Sequence, residues 1–215
     1  MHALALVMAS RNPGKVRELA EILKDLDLSL LSLTDFPELP EIPEEGATFR
    51  ENAAAKARET ARLTGLPALA DDSGLEVEAL GGAPGVFSAR YAMDRTHPAA
   101  PTDQDNWRKL LEELQGVPWE QRRARFVCEI ALALPDGRLF TARGECPGII
   151  AYEPKGSQGF GYDPVFWVPD FGRTMAELGP ERKNRISHRA RALTALREML
   201  AGLKDELGGG WSGEQ

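Results

Sequence analysis

A chain of 215 residues with 42% hydrophobic and 27% charged residues has the make-up of a globular protein that builds its core without disulfide or metal staples. Its formal charge of −7 argues against broad contact with nucleic acid or an anionic membrane, yet local lysines or a metal still admit a small anionic ligand. Cys128 and Cys146 form no C-x-x-C pair and have no histidine at zinc spacing, the start lacks a basic signal-peptide region, and no run reaches membrane-spanning length. The expected setting is the cytoplasm, with both thiols reduced.

Ala3 to Ala9 is an apolar run long enough for one buried strand. Asn12-Pro13 then reads as an N-cap followed by proline at the first helical position. Val16, Leu19, Ala20, Leu23 and Leu26 give that helix one apolar face. The proline-rich stretch from Phe36 to Pro43 fits no regular element. Thr48-Phe49-Arg50-Glu51 is a capping box, and the alanine-rich helix it opens ends near Gly65. Pro67 to Ala70 is the next predicted strand, with Asp71-Asp72-Ser73-Gly74 directly after it and a glycine-rich turn at Gly81 to Gly85.

Thr102 caps a helix whose apolar face carries Trp107, Leu110, Leu111 and Leu114, ending at Gly116. Ala124, Phe126, Cys128, Ile130, Leu132 and Leu134 alternate with a period of two, a strand pattern. Pro135-Asp136-Gly137 turns the chain, and Arg138 to Arg143 returns as the second strand of a hairpin. A glycine-rich loop covers Gly156 to Gly161. The last helix is predicted from Ser187 to Leu207, with Leu193, Leu196, Leu200 and Leu203 inward. Gly208-Gly209-Gly210 ends it, and residues 208–215 are expected to form a disordered tail. Strands alternating with helices and a central hairpin imply an α/β fold with a mixed sheet.

Several stretches could carry chemistry. Ser10-Arg11-Asn12-Pro13-Gly14-Lys15 lies where a strand hands over to a helix. Free N–H groups and the dipole at a helix start favour phosphate, and Lys15 adds a full charge. The spacing is not that of a Walker loop, and alone the stretch reads as a capped helix with a surface lysine. Asp71 and Asp72 are adjacent on a strand and so point to opposite faces. One can hold Mg²⁺ or orient a water, the other can be structural, and a surface Asp-Ser-Gly turn is the plain alternative. Glu44 and Glu45 matter only if the fold brings them to Asp72. Lys56, on the alanine-rich helix, is by default solvated but could reach over a cleft.

Phe160, Gly161, Tyr162 and Asp163 end a loop that lacks the G-x-G-x-x-G spacing. Aromatic rings among glycines can stack on a nucleobase, or they can be core beside a tight turn. Ser187 reads as the N-cap of the last helix. His188 and Arg189 then sit in its first turn against the dipole preference, a local misfit that hints at function, together with Lys183.

Each signal is weak singly, but their order is specific. S-x-N-x-x-K, T-F-x-E-N-A-x-x-K-A, A-D-D-S-G-L-x-V, L-G-G-A-P-G-x-x-S-A-R-Y, G-F-G-Y-D-P-x-F, A-E-L and I-S-H-R-A follow one another along nearly the whole chain. The set resembles the inosine/xanthosine triphosphate pyrophosphatases. The resemblance implies an elongated, two-lobed α/β fold over residues 1–207 with the substrate in a cleft, acting as a cytoplasmic homodimer. It implies Mg²⁺-dependent cleavage of inosine and xanthosine triphosphates, ribo or deoxy, between the α- and β-phosphates, a house-cleaning reaction that keeps them out of DNA and RNA. No nucleic-acid or membrane partner is expected.

Carried over by position, Ser10 to Lys15 match the phosphate-contacting loop. Asp72 matches the proton acceptor and metal ligand, and Ser73 a substrate contact. Glu44 or Glu45 matches a metal-associated residue, and Lys56 a lysine near the phosphates. Phe160 to Asp163 match the nucleoside loop, and Lys183, His188 and Arg189 the base-recognition residues. Arg11 stands where the family often has glycine, which excludes a glycine-only backbone conformation there without strain.

Overall fold

The computed structural model describes residues 4–26, 28–93 and 100–207, with backbone alone at 198–207. The expected tail, 208–215, lies outside the described residues, as do the side chains of Leu200 and Leu203. By its contacts the chain divides into two compact units. The first takes the chain up to Asp72, Glu129–Gly144 and the chain from Ala190 on; the second takes Ser73–Cys128 and Glu145–Arg189. No helix among the described residues is long and apolar enough to cross a membrane.

In the first unit, β1 (Leu4–Met8) runs parallel to β2 (Leu28–Ser32) and to β3 (Ala68–Val77). Leu6, Val7 and Met8 are all buried, as a strand covered on both faces requires. β2 was not expected from sequence: its five residues, Leu-Ser-Leu-Leu-Ser, show no clean alternation, and only Ser32 is fully buried. Asn12 caps α1 (Pro13–Leu23) as predicted, its side chain accepting from the Gly14 and Lys15 amides. Leu19 and Leu23 are buried, whereas Leu26 lies past the helix end. Thr48 and Glu51 close the predicted capping box on α2 (Phe49–Thr64), and Gly65 ends it in a left-handed conformation. Ala53, Ala57 and Ala61 recur every four residues along α2 and pack with Val7, Ala68, Ala70 and Ala131. Such small side chains let a helix lie close on a sheet.

β3 is more than twice the expected length. Asp71, Asp72, Ser73 and Gly74 therefore lie inside a strand, not in a turn after it. The reason is position: β3 has hydrogen-bonded neighbours on both sides, β1 and β4 (Arg123–Ala133), so its backbone is held extended past the carboxylates. Along β4 the predicted alternation holds only at the start; from Phe126 to Ala133 every residue is buried. Gly137 makes the expected turn to β5 (Leu139–Ile150), which continues seven residues beyond Arg143.

In the second unit β5 pairs antiparallel with β6 (Phe166–Val168), and β6 with β7 (Arg173–Thr174). Among the described residues the strands form one sheet in the order β2-β1-β3-β4-β5-β6-β7, a mixed sheet in an α/β fold as expected. Thr102 caps α3 (Asp103–Glu113), whose Leu110 joins Leu75, Phe126, Ile150, Tyr162 and Phe166 in this unit's core. α4 (Pro180–Ile186), with the polar sequence Pro-Glu-Arg-Lys-Asn-Arg-Ile, has no apolar period and was not legible. It carries Lys183, and Ser187 separates it from α5 (His188–Leu207).

Arg122 is the buried post of the second unit. Its guanidinium donates to the carbonyls of Ile150 (2.7 Å), Leu114 (2.8 Å) and Ala151 (2.9 Å), and the Tyr152 ring covers it at 4.7 Å. A lysine cannot reach three carbonyls at these angles. Each buried acceptor left without a donor costs about 1–3 kcal/mol. Arg122→Lys is therefore expected to lower the unfolding free energy by at least that amount in urea titrations; unchanged stability would show that water replaces the guanidinium.

Candidate active site

The first unit gathers its charges at the middle of β3. Lys56, on the buried face of α2, donates to the Asp71 main-chain oxygen (2.7 Å) and to the Glu44 carboxylate (2.5 Å). Lys15, one turn into α1, pairs with the Asp71 carboxylate at 3.1 Å. Asn52, one turn before Lys56, donates from Nδ2 to Asp72 Oδ2 at 2.9 Å and accepts the Gly46 amide at 2.7 Å. Asp71 and Asp72 are both buried, at 2% and 5% exposure, so neither carboxylate belongs to a solvated surface turn. Adjacent strand residues point to opposite faces, and the two carboxylates meet different partners, Lys15 at Asp71 and Asn52 at Asp72.

Glu44 and Glu45 differ in placement. Glu44 is half-buried and meets Lys56, whereas Glu45 is exposed. Asn52 escaped the sequence reading. Its signal was an asparagine four residues before Lys56 in an otherwise alanine-rich helix, a polar side chain on the face that packs.

Electrostatics here follow from burial. Desolvation is the largest influence on Asp72 and pushes its carboxyl above the ordinary range, with Glu44 adding to the rise and Lys56, Asn52 and Lys15 opposing it. For Lys56 desolvation works downward, but Asp71, Glu44 and Asp72 together hold the ammonium above its ordinary value. Three carboxylates, Asp71, Asp72 and Glu44, thus meet the ammoniums of Lys15 and Lys56. Among the described residues no three His, Cys, Asp or Glu side chains stand together as a metal-holding cluster. Mg²⁺ does not need one, since it keeps several waters and takes one or two protein carboxylates together with substrate phosphates. Asp72 and Glu44, hard oxygen donors on neighbouring sides of Lys56, fit that requirement.

The loop before α1 is shaped differently from the expectation of open amides. The Asn12 side chain already accepts from the Gly14 (2.8 Å) and Lys15 (3.2 Å) amides, and Ser10 Oγ accepts from the Asn12 amide. Arg11 turns back to donate to the carbonyls of Leu39 (2.7 Å) and Leu33 (3.3 Å), anchoring the proline-rich segment. Among the described residues no non-glycine has a positive φ, so Arg11 in place of glycine brings no backbone strain. Pro13 opens α1 and Gly14 follows it, both near the surface.

The second unit holds the other predicted set. Asp163, 2% exposed, accepts from the Lys183 ammonium (2.6 Å) and the Phe160 amide (3.0 Å). Gly159 lies so close that a Cβ there would stand 2.0 Å from Asp163 Oδ2. Lys183 and Arg189 lie over the Phe160 ring at 4.3 and 5.8 Å, and Arg189 reaches Ser73 Oγ at 3.4 Å. His188 stacks on Phe126 with centroids 4.9 Å apart. Asp103, for which sequence held no signal, accepts the Gly161 amide at 2.7 Å. The Tyr162 ring is core, as one of the two readings of that loop had it; its hydroxyl donates to the Ser88 carbonyl at 2.8 Å, and burial pushes its phenol well up.

Residues 6–199 match the model of the Ham1 family. The chain belongs to this family. It is 52% identical to the dITP/XTP pyrophosphatase of Geobacter sulfurreducens over 97% of this chain and 98% of that one. It is 51% identical to the dITP/XTP pyrophosphatase of Thermus thermophilus, covering 92% of each. The solved structure of a HAM1 protein from Coxiella burnetii superposes with a TM-score of 0.83 at 47% identity, covering 93% of this chain and 99% of that one. The fold described above is therefore the Ham1 fold, and the clusters at Asp72 and Asp163 lie within the matched span.

Asp72 carries a cost in stability. Its folded-state pKa lies above the unfolded value, so its contribution is favourable below the unfolded value, about 3.9, and is lost as pH rises through the folded one. With metal chelated, Asp72→Asn is expected to melt above the unaltered protein at pH 7, the advantage shrinking toward pH 3.5. A variant that melts equally far below it at both pH values would show that the Asp72 charge is not the source of the cost.

Proposed function

We propose that this protein hydrolyses inosine and xanthosine triphosphates, ribo or deoxy, to the nucleoside monophosphate and pyrophosphate. The observation that carries the reading is the buried set of Lys15, Asp71, Lys56, Glu44 and Asp72, two ammoniums among three carboxylates around one strand. The chain-long identity to proteins named dITP/XTP pyrophosphatase supports it.

In this reading Asp72 and Glu44 hold a divalent cation, Mg²⁺, which when bound neutralises charge building on the triphosphate. Asp72 orients a water and accepts its proton as the oxygen attacks the α-phosphorus, and the bond to the bridging oxygen of the β-phosphate breaks. In the same reading Lys15, 19% exposed, takes phosphate oxygens and Lys56 stabilises the leaving pyrophosphate. Ser10, Asn12 and Gly14 shape the loop beside Lys15. Arg11 works at one remove, through Leu33 and Leu39.

The base falls to the second unit. Phe160 offers a ring for stacking, and Lys183, His188 and Arg189 offer donors, with Ser73 beside Arg189. Hypoxanthine and xanthine present a keto acceptor where adenine presents an amino donor. A site built on such a bond discriminates by roughly 10⁴ or more. The same reading makes residues 1–207 one functional domain of two lobes, acting as a cytoplasmic homodimer.

Incubation with ITP, XTP, GTP and ATP, with and without Mg²⁺, is expected to yield monophosphate and pyrophosphate from ITP and XTP alone, only with the metal. Orthophosphate and a diphosphate would mean that another bond is cut and would overturn the reading. Asp72→Asn is expected to bind ITP yet turn over at least roughly 10²-fold more slowly. Arg189→Ala is expected to narrow the preference for ITP over ATP.

A further inference from the structure

Asn52 sits in the interior of a helix, where asparagine is a poor former, and is 1% exposed. Burial of its amide is tolerable only because both ends are bonded. The Gly46 main-chain nitrogen can only donate, so the oxygen of the Asn52 amide must face it, at 2.7 Å. That choice sends the amide nitrogen to the other side, where it donates to Asp72 Oδ2 at 2.9 Å. The approach to the loop is tight: a Cβ on Gly46 would stand 2.7 Å from Asn52 Oδ1 and 2.8 Å from Glu51 Cβ. Four residues on, on the same helix face, Lys56 repeats the pattern, bonding Glu44 of that loop and the carbonyl of Asp71 on β3.

We infer that Asn52 is a positioning residue, which holds the Asp72 carboxylate in one rotation and ties it to the segment bearing Glu44. The inference rests on the hydrolase reading given above. Anchoring the loop uses only the Gly46 bond, and the buried amide nitrogen then needs an acceptor of its own. The second bond reaches the one carboxylate to which that reading assigns the water. Because the amide cannot turn over without losing Gly46, it presents a donor and not an acceptor to the Asp72 carboxylate. Asn52 touches neither substrate nor metal in this account; it acts through Asp72.

Two variants test this. Asn52→Ala removes both bonds, and Asn52→Asp keeps the acceptor for Gly46 while turning the donor into a second acceptor against Asp72. Initial rates with ITP, thermal melting, and Mn²⁺ affinity of the nucleotide-free protein by titration calorimetry are measured on each. Outer partners of this kind are worth roughly 10- to 100-fold in activity or metal affinity. We expect kcat to fall by that factor in both variants with KM for ITP little changed, and Mn²⁺ to bind correspondingly more weakly. Should Asn52→Ala fail to fold, Asn52→Asp decides the matter, since it retains size and loop anchor. A folded variant that keeps kcat and Mn²⁺ affinity close to those of the unaltered protein would overturn the inference. The unaltered protein is assayed alongside: if it does not hydrolyse ITP, the hydrolase reading fails; if it does and the variants match it, only the role of Asn52 fails.

Discussion

The Lys56 ammonium lies under α2, 2.7 Å from the main-chain oxygen of Asp71 and 2.5 Å from the Glu44 carboxylate. A buried cation must be paired and bonded, and Lys56 meets that demand with Glu44 and the Asp71 carbonyl. It draws the 44–46 segment onto α2, and it gives two adjacent aspartates in a central strand a positive neighbour. Lys15 answers Asp71 from α1 and Asn52 answers Asp72 from α2, so three elements converge on one stretch of β3.

The second unit uses the opposite sign for its centre. Asp163 is the buried carboxylate, and it organises a cationic and aromatic surround: Lys183 on α4, the Phe160 amide, and through the Phe160 ring also Arg189. A lysine half-neutralised by an aspartate and seated over an aromatic face can donate without attracting every anion.

Burying so many polar groups is expensive, and the rest of the fold is correspondingly plain. The alanine seam of α2 lets that helix approach the sheet closely enough for Asn52 and Lys56 to reach β3. Longer side chains at Ala53, Ala57 and Ala61 would lift the helix and part the bonds. Low side-chain volume in the core and high polar density at the site are one design. The raised pKa of Asp72 records what remains uncompensated, as is common where function and stability compete.

Much of this was readable in one dimension. Caps at Asn12, Thr48 and Thr102, the left-handed glycine at Gly65 and the turn at Gly137 are local events, set by side chains bonding to their own backbone within a few residues. The ordered motifs likewise named Lys15, Lys56, Asp72, Lys183 and Arg189 as a set. What sequence could not supply were facts made by partners distant in the chain. The length of β3 depends on strands that flank it, so Asp71 to Gly74 looked like a turn. Glu44 and Glu45 are alike until α2 places Lys56 beside one of them, and Tyr162 reads equally as ligand residue or core until Ser88 takes its hydroxyl. Asn52 is an ordinary helical asparagine until Gly46 and Asp72 bond its two ends. Local bonding is encoded by neighbours in sequence, whereas burial and pairing at long range exist only after the chain has closed on itself.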